Sequence, residues 1–241
     1  MHLFLIPGLA FAAATIPPEI TFQSSSARTH LLELYTSEGC SSCPPAEKWM
    51  SQLHASPRLW KEVVPVVFHV DYWDGLGWPD RFASKAFTAR QRTLAGAWAS
   101  ESVYTPAFAL NGREWRERSL DRIPAPAGDA GVLSATVTAG KRVAVRYVPA
   151  QAGKWEVFVA LLGSGLKTEV KAGENRGSNL VHDFVVLALV TKTLASEGEA
   201  VSANVELPPV EPGGSRSLAV WIVKAGGTEA VQAVGGDLAS R

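Results

Sequence analysis

The chain has 241 residues, 46% of them hydrophobic and 19% charged, with 23 basic against 23 acidic side chains and a formal net charge of zero. That composition excludes a disordered chain, and the charge balance gives no basis for binding nucleic acid or an anionic membrane. The length suits one large domain or two of ordinary size.

The opening "MHLFLIPGLAFAAAT" has an apolar core from Leu3 to Ala12 and a small-residue end. Residues 1–14 read as a signal peptide, although the segment before the apolar run carries no Lys or Arg. The run is too short to span a bilayer, and no later stretch reaches that length without charges. The expectation is an exported, periplasmic or secreted chain with no membrane span once mature. In such a compartment a cysteine pair persists as a disulfide.

From residue 29 to 112 strand-like and helix-like runs alternate. "HLLELYT" reads as an apolar strand, and "AEKWMSQLH" as a short helix with Trp49, Met50 and Leu53 on one face. "EVVPVVFHVDYW" is a second strand, with Pro65 disturbing its early pairing. "DRFASKAFTARQRTLAGAWAS" reads as a helix with Asp80 near its start. "TPAFAL" and "REW" are strands joined by a tight Asn111–Gly112 turn. This order predicts an α/β layer structure. Residues 121–131, "DRIPAPAGDAG", read as a linker. Beyond it the pattern is all-β, with runs such as "VLSATVTAGKRVAVRYV", "KWEVFVALLG" and "SLAVWIVKAG" separated by Gly and Pro. Their spacing predicts a sandwich-like domain over 132–241.

Both cysteines lie in "TSEGCSSCPPAEKW", residues 36–49. As a staple, a loop of about four residues contributes only ~2 kcal/mol. As a metal site, two cysteines fall short of the four ligands of a closed zinc centre. The least implausible metal form is a Cu(I) chaperone using Cys40, Cys43 and His69. As a redox pair, the cysteines are placed by a strand running in and a helix running out. The helix N-terminus favours a thiolate, with Cys40 outward as the attacking sulfur and Cys43 behind it as the resolving one. Pro44 and Pro45 lack N–H groups, so the first turn is expected to be irregular or to start after Cys40.

Five stretches, "ELYTSEGCSSCPPAE", "HVDYWDGLGWPDRF", "FTARQR", "VYTPAFALNG" and "GENRGSNLVHDFVV", together resemble the secreted bacterial family known as domain of unknown function 1223. The resemblance implies an exported protein with an α/β thioredoxin-like domain over 28–120, followed by the all-β domain; it implies no substrate. In thioredoxin-like folds a cis-proline faces the cysteine pair and the residue before it positions the substrate backbone. Here these positions are Pro106 and Thr105. Thioredoxin's buried acid falls on Leu34, so the neighbouring Glu33 is the candidate proton acceptor only if the register differs by one. The 71–100 segment is a helical insertion relative to thioredoxin, and no helix is recognisable after the last hairpin.

Within the insertion, Asp71, Tyr72, Trp73, Asp74 and Trp78 form either a substrate-facing rim, with Arg90 or Arg92 pairing its acids, or plain packing of the added helix. "GENRGSN", residues 173–179, reads as a turn-rich loop, with Glu174, Asn175 and His182 as unsupported binding candidates. The leading expectation is an exported thiol–disulfide oxidoreductase that needs no cofactor and acts on a thiol- or disulfide-bearing partner. The rivals are a binding module with an inert disulfide and the Cu(I) chaperone. The sequence leaves oligomeric state open.

Overall fold

In a computed structural model, the structure describes residues 19–117, 119–138, 141–211 and 213–238. The signal-peptide segment 1–14 lies outside the described residues. In chain order the elements are β1 (Glu19–Gln23), β2 (His30–Thr36), α1 (Pro44–Ser51), β3 (Val63–His69), α2 (Lys85–Ala97), β4 (Ala107–Leu110), β5 (Arg113–Glu114), β6 (Val132–Thr138) and β7 (Arg142–Val148). They continue with β8 (Trp155–Ser164), β9 (Leu166–Glu169), β10 (Asn179–His182), β11 (Val185–Thr193), β12 (Ala195–Glu197), β13 (Ala200–Glu206), β14 (Ser215–Lys224) and β15 (Ala230–Leu238).

Strands hold 44% of the described residues and helices 14%, with two α-helices among them. This corrects the expectation of an α/β thioredoxin-like domain followed by an all-β one. The strands of both halves share one eight-stranded sheet in the order β15-β14-β8-β11-β3-β2-β4-β5. The join is the short parallel contact of β11 with β3, at Val185 and Val67, backed by a hydrogen bond from Val67 N to Phe184 O of 2.9 Å. A five-stranded sheet, β1-β6-β7-β13-β12, packs on the C-terminal part of the large sheet, and β9 and β10 form a separate ribbon. β1 pairs with β6 rather than with the strands that follow it in sequence.

β2 is wholly buried because its alternate side chains enter cores on both faces of the sheet. Leu32 and Leu34 face α1, packing with Ala46, Met50 and Leu53. Leu31 and Tyr35 face the other way, packing with Phe87 and Leu94 of α2 and with Trp221. A third cluster, including Val157, Val220 and Val145, fills the space between the two sheets. The predicted turn between β4 and β5 has left-handed backbone at both Asn111 (φ 52) and Gly112 (φ 83), the geometry such a hairpin demands. A side chain at Gly112 would meet the carbonyl of Thr228 at 2.2 Å. Helix α2 starts later than the sequence predicts: Ser84 caps it, its side chain accepting from Ala86 N, while Asp80 turns into the interior. No helix among the described residues is long and apolar enough to cross a membrane.

Candidate functional site

β2 ends at Thr36, and the chain turns through residues 37–43 into α1. Cys40 and Cys43 are disulfide-bonded, with Cα atoms 5.4 Å apart. The helix begins at Pro44, with both prolines in the first turn, where a missing N–H costs nothing. Cys43 is its N-cap residue, and the Cys43 carbonyl accepts from Ala46 N and Glu47 N. The Ser42 hydroxyl lies 3.3 Å from Cys40 Sγ. Cys40 does not present an exposed sulfur as the sequence reading expected: both cysteines are fully buried.

The loop from β9 to β10 is tied to this turn. The Glu174 carboxylate accepts from Ser41 N at 3.0 Å, and the Asn175 amide donates to the carbonyls of Glu38 (2.8 Å) and Cys40 (3.0 Å). From the other side comes the 71–80 segment. A Cβ on Gly39 would stand 3.0 Å from Cβ of Trp73, tighter than side chains ordinarily pack, so glycine eases the approach of Trp73.

Behind the disulfide lies a buried polar network. Parallel pairing of β2 with β3 sets Thr36 beside His69, and the crossing from β10 to β11 brings His182 to the same end. His182 Nε2 meets Glu38 Oε1 at 3.1 Å, and its Nδ1 meets Glu47 Oε2 on α1. Thr36 Oγ1 donates to Glu47 Oε1 at 2.6 Å, and Trp78 Nε1 donates to Glu38 Oε2 at 2.7 Å. His69 Nδ1 meets Asp80 Oδ2 at 2.6 Å, an oxygen that also accepts from Glu38 N. The two imidazoles stand edge to face, their centroids 5.1 Å apart. His69 Nε2 is buried and has no partner.

Burial disfavours the imidazolium of His182, but the hydrogen bonds and charges of Glu38 and Glu47 outweigh it and raise its pKa to about 10. Burial works against the Glu38 carboxylate too, yet the His182 hydrogen bond brings its pKa below the ordinary value. For Asp80, burial is again overcome, here by the charge and hydrogen bond of His69, and its pKa is lowered. Asp74, desolvated and near Asp80, Asp71 and Glu38, is raised.

The structure disperses several residues that sequence grouped. Glu33 points to the α2 face, away from α1, where it accepts from Arg90 Nε (2.9 Å) and the Tyr35 hydroxyl (2.8 Å). It is therefore no proton acceptor for the cysteines. Arg90 is thus not paired with the rim acids, and Arg92 is exposed and forms no ion pair with them among the described residues. Asp71 accepts from Thr88 Oγ1 of α2, Asp74 accepts from Asp80 N, and Trp78 reaches Glu38. These contacts fit packing of the segment onto the network better than an open rim. The Thr105–Pro106 bond is cis. Because Ala107 pairs with Tyr35, both residues leave β4 at the disulfide end of the sheet, and Trp73 Nε1 donates to Thr105 Oγ1 at 2.8 Å. They line a cleft of about 440 Å³ with Tyr104, Phe108, Trp115 and Arg116. A larger cleft, about 1100 Å³, runs over α2 and includes neither cysteine.

The ligand set Cys40, Cys43 and His69 does not form here, because both sulfurs are spent in the disulfide. Instead Glu47, His69 and His182 each offer one ligand atom, all within 4.8 Å of one another. Sequence reading missed Glu38, Glu47 and Asp80, although all three lie inside stretches it singled out, "TSEGCSSCPPAE" and "DYWDGLGWPD".

Two solved structures match over most of the chain. The X-ray structure of a structural-genomics target from Agrobacterium tumefaciens shares 26% identity at a TM-score of 0.62, covering 88% of this chain and 95% of its own. HBP35 of Porphyromonas gingivalis shares 14% identity at 0.59, covering 89% and 76%, a likeness of fold alone. A search among curated proteins finds no match. The model of one family, described as protein of unknown function (DUF1223), matches residues 31–223, and the chain belongs to that family.

Proposed function

We propose that Cys40 and Cys43 are a two-electron redox pair that exchanges with a thiol- or disulfide-bearing protein partner in an exported setting. The observation that carries this reading is the small ring they close at the start of α1, with Cys43 at the N-cap. A ring this short is worth only ~2 kcal/mol as a staple. Its chemical value is larger, since a sulfur at a helix N-terminus is stabilised as thiolate. The apolar run at residues 3–12 supports export, and an oxidising compartment suits the bonded form.

A partner thiolate attacks Cys40 Sγ, the Cys40–Cys43 bond breaks, and its electron pair leaves on Cys43. A second partner thiolate then attacks the mixed disulfide and releases Cys40. The partner gains a disulfide and the pair gains two electrons. Run backwards, Cys40 attacks a partner disulfide and Cys43 resolves it. Thr105 and Pro106 line the cleft at this end of the sheet and are the proposed positioning residues. Because both cysteines are buried, exchange requires the Glu174–Asn175 loop to release the turn.

That same burial favours a second reading, a binding module with an inert disulfide. One experiment separates the two. The oxidised protein is equilibrated with a thiol redox buffer and trapped by alkylation. A potential above about −250 mV with Cys40 trapped at neutral pH supports exchange; one below about −300 mV with no trapping rejects it. Isolation of recurrent mixed disulfides with Cys43→Ser in the exporting compartment would then name the partner.

A further inference from the structure

Three segments far apart in sequence converge on one buried point: Glu47 on α1, His69 at the end of β3 and His182 at the end of β10. Each donor is backed by a second polar group. Asp80 holds His69 through Nδ1, Glu38 holds His182 through Nε2, and Thr36 holds Glu47 through Oε1. Carboxylate-backed imidazoles of this kind are the usual outer shell of a metal site, fixing the ring and leaving the other nitrogen's lone pair to the ion. The ligand atoms would then be His69 Nε2, which has no partner, and His182 Nδ1 and Glu47 Oε2, whose mutual hydrogen bond would give up its proton to make room for the ion. One of them, His69 Nε2, is fully buried with no partner and belongs to the convergent set.

We propose that Glu47, His69 and His182 bind one divalent transition-metal ion of the zinc class. Two nitrogens and one carboxylate oxygen suit Zn²⁺ and its cobalt surrogate better than Mg²⁺ or Ca²⁺, which prefer oxygen alone. Tetrahedral bonds of about 2.0–2.2 Å set ligand atoms roughly 3.3–3.5 Å apart. Atoms already within 4.8 Å need close by no more than roughly 1.5 Å to reach that spacing. Three protein ligands leave a fourth position for water or a ligand from outside the chain. The ion would link the disulfide-bearing helix to strands from both halves of the chain. The proposal does not depend on the redox reading, because no sulfur takes part.

The test uses full-length oxidised protein, stripped with chelator and titrated with Co²⁺. The expected result is one Co²⁺ per chain, the visible bands of a tetrahedral N/O site without thiolate charge transfer, and displacement by one equivalent of Zn²⁺. Zn²⁺ should also raise the thermal midpoint. His69→Ala, which removes one ligand and leaves Asp80 without its imidazole partner, is expected to weaken binding by more than about 100-fold, with circular dichroism checking that the variant folds. The double variant Cys40→Ser/Cys43→Ser is expected to keep stoichiometry and spectrum. Substoichiometric binding by the parent chain overturns the proposal. So do bands unchanged in folded His69→Ala, and bands lost in the double cysteine variant. If His69→Ala does not fold, Asp80→Asn replaces it, with a 10–100-fold weakening expected and unchanged affinity counting against the site.

Discussion

Two buried charge clusters adjoin β2, and they differ in what they leave unbound. On the α2 face, Glu33, Tyr35 and Arg90 form a set whose cation is permanent. The Arg90 guanidinium also lies 5.0–5.4 Å from the ring centroids of Phe68, Phe158 and Trp221. Burial works against that charge, but Glu33 more than compensates and raises the pKa of Arg90 still further. At the other end, beyond Thr36, the cluster consists of two imidazoles and three carboxylates. Imidazoles exchange protons and bind metals; a guanidinium does neither. The comparison teaches that burying charge does not by itself mark a site. What marks it is a set of convergent lone pairs with more than one way of being satisfied.

If the α2-face cluster is structural, breaking it should cost the most stability and leave the disulfide end untouched. Arg90→Leu strands the Glu33 carboxylate and removes three aromatic contacts. The expected loss is about 5 kcal/mol in urea unfolding, with the Cys40–Cys43 potential unchanged. His182→Ala deprives Glu38 and Glu47 of their shared imidazole but leaves each another donor, Trp78 Nε1 and Thr36 Oγ1, and costs no cation–aromatic contacts, so the expected loss is smaller, about 3 kcal/mol. Unlike the Arg90 variant, it should also abolish Co²⁺ binding. A shifted cysteine potential in Arg90→Leu, or an unaltered metal titration in His182→Ala, would break the division between the clusters.

A smaller effect belongs to alkaline pH. Burial first, and then the charge of Glu33, hold the Tyr35 pKa well above the ordinary value of 10.0. A folded pKa raised above the unfolded one means that the contribution of the neutral phenol is complete below about pH 10 and is lost as pH rises through the folded value. The stability difference between the parent chain and Tyr35→Phe should therefore shrink above about pH 10. A difference that stays constant to high pH would place Tyr35 outside the cluster.

Much of the local structure was legible in sequence, because its causes are local. "HLLELYT" reads as an apolar strand, and Asn111–Gly112 as a tight turn, from residue type and order alone. The fold class was not legible, and the α/β reading of residues 29–112 was wrong. Alternation of strands and helices over 29–112 does not say that β3 continues into β11 through one residue pair, Val67 and Val185, more than a hundred positions apart. The site failed for the same reason. His182 lies 135 residues from Glu47 and 144 from Glu38. Within its own stretch it is one polar residue in a strand, and only the crossing from β10 to β11 gives it partners. Glu33 misled because it is adjacent to the strand position that mattered, and one residue along a strand is the opposite face.

The smallest expected change in stability tests how the disulfide end is closed. Asn175→Ala removes two hydrogen bonds, to the carbonyls of Glu38 and Cys40, in a loop that contributes little to the main cores. At about 1 kcal/mol each in net terms, the global cost is about 1–2 kcal/mol. The local consequence is larger in kind, because the same free energy governs how often the turn opens. Since 1.4 kcal/mol is a factor of ten, the rate of reduction by dithiothreitol should rise about 10-fold. Arg90→Leu, although far less stable, should leave that rate within about twofold under native conditions, where local opening rather than global unfolding admits the reductant. Equal rates in Asn175→Ala and the parent chain would mean that the loop is not what shields the sulfurs, and access would then have to come from the Trp73 side, where Gly39 permits the close approach.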